Sequence, residues 1–146
     1  MKTIPEIQKF MTPMPHSVGA RIPLRTALEM MREHGFRHLP VQDGGRLVGV
    51  LTDRDIKLAA SFKGAETLTV DEVMTPDPYT VSPTAAMDQV LSEMAQHKYG
   101  CALIVQENGK LVGIFTATDG MRVLAEILQM NYRPRNESSA SGSRAL

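Results

Sequence analysis

Two places in the chain set a hydroxyl and a carboxylate three residues apart at the end of an apolar run. One is Gly49-Val50-Leu51-Thr52-Asp53-Arg54-Asp55; the other, 64 positions on, is Gly113-Ile114-Phe115-Thr116-Ala117-Thr118-Asp119. A buried strand that stops at a hydroxyl residue and turns into a helix has this form. Thr-x-x-Asp is close to a capping box, in which side chain and backbone at a helix start satisfy one another, a device worth about 1 kcal/mol. The same groups can also work on a ligand. With His38, they form the densest set, His38, Thr52 and Asp55, from which a general base and a nucleophile could be drawn. Repetition does not choose between a cap and a site, because a duplicated fold duplicates its caps.

The rest of the composition narrows the classes. Sixteen basic residues balance sixteen acidic ones among 146, so neither a nucleic-acid surface nor a basic membrane patch is expected. Cys101 is the one cysteine and lies in an apolar segment, which precludes an internal disulfide and suits a reducing compartment. It reads as a buried thiol, with no catalytic pattern around it. No Cys/His/Asp cluster has ligand spacing, so no metal is expected. No apolar run approaches the roughly 20 residues of a membrane span, and the first residues lack the apolar core of a signal peptide. A soluble, cytoplasmic protein is the expectation.

The elements that must position the two corners repeat with them. Ile4, Ile7, Phe10 and Met11 stand at helical spacing before Thr12-Pro13-Met14-Pro15, where proline ends the run. Leu24, Ala27, Leu28 and Met31 give a helix over 23–34 with one buried face, Pro23 suiting its first turn and Gly35 its end. The runs 38–42 and 46–51 flank Asp43-Gly44-Gly45, a hairpin signal. A helix over 53–62 follows.

The cycle then restarts. Met74-Thr75-Pro76-Asp77-Pro78 repeats Met11-Thr12-Pro13-Met14-Pro15 at an offset of 63, Val81 matches Val18, and Met87, Val90, Leu91 and Met94 repeat the helical face. His97 falls on His34, both near a helix end that favours a cation. The offset becomes 64 further on, and the residue types put the slip at 98–100, pairing Leu103 with Leu39 and Val105 with Val41. A last helix is predicted over 118–130, and 131–146 reads as a disordered tail. Most of the ten methionines fall on helical apolar faces and suit core or dimer packing. Each copy is expected to be poorly covered alone, so two β-α-β-β-α units should pack as an intramolecular pseudo-dimer of α/β (α+β) class, residues 1–66 and 67–131, with a tail at 132–146 and the N-terminal segment shared.

The Met-Thr-Pro openings, the Leu-Pro-Val strand, the Gly-Arg-Leu-Val-Gly strand and the twice-used Gly-x-x-Thr-x-x-Asp corner together resemble the cystathionine β-synthase (CBS) domain, in a tandem pair or Bateman module covering about residues 5–130. The resemblance implies a regulatory module that binds an adenosine-containing ligand, AMP, ADP, ATP or S-adenosylmethionine, in clefts between the repeats. It implies a homodimer and signalling to a separate effector protein, with no required cofactor and no catalytic residues. Under it, Asp55 and Asp119 would accept from the two ribose hydroxyls, and Thr52, Thr116 and the helix N-terminal N–H groups would meet phosphate. Arg37 and His38 match positions that meet phosphate, and the base would lie around Val18 and Pro40, or Val81 and Ile104.

The copies differ chemically. With the slip at 98–100, Gly100-Cys101-Ala102 stands against Phe36-Arg37-His38, and Ile104 takes the place of Pro40, so two equal sites are not expected. Arg37 and His38 share a repeat with Thr52 and Asp55, yet the clefts of the family draw on both repeats, which leaves the cleft of Arg37 open. The competing readings are a structural or dimerisation module whose sites are vestigial, and an enzyme built on His38, Thr52 and Asp55.

Overall fold

The computed structural model describes residues 2–135. Of the expected tail, 132–135 adopt no helix or strand and 136–146 lie outside the described residues. The first repeat contributes β1 (Thr12–Pro13), β2 (Val18–Gly19), α1 (Leu24–His34), β3 (His38–Asp43), β4 (Arg46–Thr52) and α2 (Asp53–Ala59). After a one-turn helix α3 (Val70–Val73), the second repeat contributes β5 (Thr75–Pro76), β6 (Thr80–Val81), α4 (Met87–His97), β7 (Cys101–Val105), β8 (Leu111–Thr116) and α5 (Ala117–Asn131). The molecule is a mixed α/β fold of two β-α-β-β-α units, with helix starts and hairpins close to those expected.

The sheets are not each made from one repeat. Their orders are β2-β3-β4-β5 and β1-β8-β7-β6. The Thr12–Pro13 arm of the first copy therefore lies antiparallel to β8 of the second, and Thr75–Pro76 lies antiparallel to β4 of the first. The residues before each arm cross over as well. Ile7 and Gln8 donate their N–H groups to Ala85 and Pro83, and Val70 and Asp71 donate theirs to Ile22 and Ala20, the same bonds displaced by 63 positions. Ile7 and Val70 are fully buried, each in the core of the opposite repeat. This exchange corrects the expected helix over 4–11. Only Ile7–Lys9 form a 3-10 turn, because the Ile7 and Gln8 N–H groups are committed to the second repeat and not to a helix of their own.

The central strands are apolar without alternation because both of their faces are covered. Leu39, Val41 and Leu51 face the α1 core, and Ala102, Ile104 and Phe115 face the α4 core. Their neighbours Val50, Cys101, Leu103 and Ile114 turn the other way into a third cluster that joins the two sheets.

The strand pairs also move the slip in the repeat. Val41 faces Gly49 and Ile104 faces Gly113; His38 faces Thr52 and Cys101 faces Thr116. The parallel pairs Val18 with Val41 and Val81 with Ile104 agree. So β3 and β7 correspond at an offset of 63, and the extra residue lies in the second hairpin turn, between Val105 and Leu111. Leu103, not Ile104, stands where the first copy has Pro40, and Tyr99-Gly100-Cys101 stands where it has Phe36-Arg37-His38.

The arms cross the strands at glycines. A Cβ on Gly49 would lie 2.5 Å from the Met74 sulfur and 2.8 Å from the Thr75 carbonyl oxygen, and one on Gly113 would strike Met11 in the same way. Backbone cannot yield as a flexible side chain can, so Gly49→Ala should destabilise the protein by about 1–3 kcal/mol through overpacking. A urea-unfolding midpoint equal to that of the parent would contradict this crossing.

Candidate functional site

Because the arms are exchanged, each Thr/Asp corner meets the opening of the other repeat. Thr52 and Asp55 line a cavity of about 380 Å³ with Asp77 and Tyr79 from the second opening and Lys98 and Tyr99 from the turn before β7. Thr116, Asp119 and Arg122 line a cavity of about 590 Å³ with Thr12, Phe36 and Arg37. A recess of about 240 Å³ at Met14, His16 and Pro40 adjoins it, sharing Thr12, Phe36, His38 and Ile114. Arg37 therefore lies with Thr116 and Asp119, not with the corner of its own repeat. The backbone explains why: the Arg37 carbonyl accepts from Asp53 N–H and holds β3 on its own helix, while the turn that carries Arg37 faces the opposite corner.

Both corners are complete capping boxes. The Thr52 and Thr116 N–H groups donate to the Asp55 and Asp119 carboxylates at 2.9 Å. Asp55 and Asp119 N–H donate to the threonine hydroxyl oxygens at 3.1 Å. The next N–H of each helix, on Asp53 or Ala117, donates to the Arg37 or Gly100 carbonyl. Of the first three helical N–H groups this leaves those of Arg54 and Thr118 without a protein partner among the described residues, fewer than the sequence led one to expect.

The two carboxylates then diverge. Asp55 also accepts from the Thr75 hydroxyl at 3.1 Å, whereas Asp119 is paired with Arg122 at 2.9 Å. An ionised carboxylate has about four lone-pair positions, and a capping hydroxyl keeps its own proton to donate. Both corners thus retain capacity for a ligand while serving as caps.

The other expected residues fall differently. Pro40 lines the recess, but Val18 and Ile104 are buried in the two repeat cores and Val81 packs against the second of them, none of the three lining these cavities. For Ile104 the cause is the register: it occupies the position of core-facing Val41. His38 lines all three cavities and is shared between the clefts. Its ring fills the space beside Gly100, where a Cβ would lie 2.5 Å from Nε2. Burial lowers the His38 pKa from its ordinary 6.5, as does Arg37 to a smaller degree, against the raising influence of Asp53 and Asp55. Burial pushes the Cys101 thiol up to about 12, so it is unreactive as a nucleophile.

Residue-by-residue reading missed an aromatic trio in each repeat. His16, His34 and Phe36 cluster with ring centres 4.5–5.2 Å apart. Tyr79, His97 and Tyr99 form the matching set, with Tyr79 and His97 each stacked on Tyr99 at 4.9 and 5.1 Å. Tyr79 and Tyr99 wall the Thr52/Asp55 cleft, Phe36 the Thr116/Asp119 cleft and, with His16, its recess; His34 and His97 stack behind them. The offset of 63 relates all three pairs, and this was the signal available in the sequence.

A duplicated fold with exchanged arms and two clefts at strand-to-helix corners defines a tandem-repeat architecture. The family model for the CBS domain matches residues 6–61 and 70–126. The chain belongs to the CBS domain family and carries a tandem pair. Among curated proteins it is 40% identical over 93 residues to an inosine-5′-monophosphate dehydrogenase of Korarchaeum cryptofilum (strain OPF8), a match covering 64% of this chain and 19% of that enzyme. It thus spans about a fifth of the length of that relative. A solved structure of CBSX2 in complex with AMP superposes with a TM-score of 0.73 at 28% identity, covering 86% of this chain and 99% of the other. The CBS domain pair of protein MJ0100 in complex with 5′-methylthioadenosine and S-adenosyl-L-methionine superposes with a TM-score of 0.78 at 25% identity, with the same coverage. Among the described residues no helix is long and apolar enough to cross a membrane.

The depressed His38 pKa has a consequence for stability. As pH falls, the unfolded chain takes up this proton first, so His38 contributes fully above about pH 6.5 and its contribution is lost as pH drops toward the folded value. Urea midpoints at pH 7.5 and 5.5 should show a smaller loss on acidification for His38→Gln than for the parent; equal losses would contradict the assignment.

Proposed function

We propose that the chain is a regulatory module that binds an adenosine-containing ligand in the clefts between its repeats and passes the bound state to a separate effector protein. The observation that carries this reading is the convergence of a Thr/Asp corner from one repeat with an opening and an aromatic wall from the other, in cavities within the range of small-molecule sites. Support also comes from solved relatives that hold AMP, 5′-methylthioadenosine and S-adenosyl-L-methionine. In this reading the free acceptor positions of Asp55 and Asp119 receive the ribose diol, and the Thr52 and Thr116 hydroxyls donate to the phosphate or other group beyond the ribose. A ligand that touches both repeats favours the packing that fits it, and this differential affinity is the signal.

A second reading, a structural module with vestigial sites, draws on the fact that both corners are already satisfied as caps. Calorimetry separates the two. AMP, ADP, ATP or S-adenosylmethionine should bind at or below millimolar concentration, and either Asp55→Ala or Asp119→Ala should weaken the tightest of them at least about tenfold, while the cap alone accounts for about 1 kcal/mol of stability. Absence of binding by all four would leave the vestigial reading in possession.

The homodimer belongs to the same proposal. Met121, Leu124 and Leu128 on α5, Leu58 on α2 and Phe62 just after it are exposed, Leu58, Phe62 and Met121 by more than 60%, apolar side chains suited to a second copy. Sedimentation should show a dimer for the parent and a monomer for Leu124→Asp; a parent that sediments as a monomer would remove this part of the proposal.

A further inference from the structure

The clefts carry different charge. The Thr116/Asp119 cleft is lined by two guanidiniums, Arg37 and Arg122, against one carboxylate, Asp119. Arg122 is held by Asp119 at 2.9 Å, while Arg37 makes no ion pair among the described residues. The Thr52/Asp55 cleft is lined by three carboxylates, Asp53, Asp55 and Asp77, against Arg54 and Lys98. Its aromatic wall is the stacked pair Tyr79 and Tyr99, ring faces that suit a flat base or a cation.

The asymmetry begins at Gly100. Gly100 occupies the position that corresponds to Arg37, and the His38 ring stands where any side chain on residue 100 would begin. Residue 100 thus supplies no cation equivalent to Arg37 to the Thr52/Asp55 cleft, and a side chain there would have to displace the His38 ring that both cavities share. Nor does the arm supply one: Asp77 sits where the first copy has Met14.

We propose that the two clefts select adenosine ligands by charge: the Thr116/Asp119 cleft takes a phosphorylated nucleotide, and the Thr52/Asp55 cleft takes a phosphate-free adenosine, neutral or cationic. The proposal rests on the reading of the chain as an adenosine-binding module. Arg37 is the specificity residue of the first cleft: with it that cleft carries two cations against one carboxylate and offers phosphate a charge-assisted hydrogen bond, whereas the second carries two cations against three carboxylates. A phosphate in the second cleft would face three carboxylates against the two cations Arg54 and Lys98.

The test is calorimetric titration of the full chain with AMP, with 5′-methylthioadenosine, and with 5′-methylthioadenosine after saturation by AMP. One AMP per chain is expected, with a 5′-methylthioadenosine site still open under saturating AMP. Arg37→Ala should weaken AMP at least about tenfold and leave 5′-methylthioadenosine in the open site unchanged, and Arg37→Lys should recover part of the loss. Arg37 is exposed and its fold contact is through the carbonyl, so circular dichroism of the variants should match the parent. Two equal AMP sites, competition between the ligands for one site, or an equal effect of Arg37→Ala on both would overturn the charge selection while leaving adenosine binding intact. Failure of both ligands to bind at millimolar concentration would instead overturn the binding module itself, and this inference with it.

Discussion

Neither repeat can close its own sheet. Each lacks one edge strand and one buried apolar residue next to its first helix, and the other repeat supplies both through its opening arm. Without the Thr75–Pro76 arm, β4 would present an unpaired edge, and without Val70 the α1 core would lose a fully buried side chain. The exchange requires bare strand at the crossing, hence Gly49 and Gly113, and it requires the two repeats to stay together. Its functional consequence is topological: the arm that completes a sheet ends beside the corner of that sheet, so every cleft is walled by both repeats and any occupant bridges them.

The corners show how one set of atoms serves two purposes. A capping box needs one acceptor on the hydroxyl and one on the carboxylate, and it leaves the hydroxyl proton and the second carboxylate oxygen uncommitted. What happens to that second oxygen is set by the neighbourhood. At Asp55 it meets the Thr75 hydroxyl, delivered by the exchanged arm; at Asp119 it meets Arg122, one turn further along its own helix. Position 58, the counterpart of Arg122, is Leu. Two corners with the same backbone therefore differ in electrostatic character.

Much of this was legible in the sequence. The duplication, the hairpins, the helices α1 and α4 and the corners themselves follow from periodicity and from turn residues, and the family signature follows from their combination. The slip was misplaced for a physical reason. Register in a strand is readable when one face is polar, but β3 and β7 are covered on both faces, so Leu39-Pro40-Val41 and Ala102-Leu103-Ile104 look equally acceptable one residue apart. Matching residue types favoured Leu39 with Leu103, and the error carried Ile104 into the candidate site and His38 onto Ala102. The exchange itself was only half visible: the sequence implied a shared N-terminal segment, but a two-residue arm has no periodicity from which to read its partner.

Among the described residues, the non-glycine positions with positive φ are Met14 (47°), Asp77 (49°) and Lys98 (59°). Asp77 and Lys98 line the Thr52/Asp55 cleft, and Met14 lines the recess beside the other. Met14 and Asp77 correspond, so the turn after each arm demands this conformation whatever residue occupies it. Lys98 corresponds to Gly35, which ends α1 at φ 71° as Lys98 ends α4. A left-handed conformation costs an L-residue on the order of 1–3 kcal/mol, and glycine would relieve it. The fold dictates the backbone at these positions but not the side chain. At 77 and 98 the chain carries a carboxylate and an ammonium group on strained backbone at the mouth of one cleft, where the symmetric partners carry a methionine and a glycine. Symmetry accounts for the geometry of the clefts; the charges that break it do not arise from any demand of packing, and their place on the cleft walls is where a ligand would sense them.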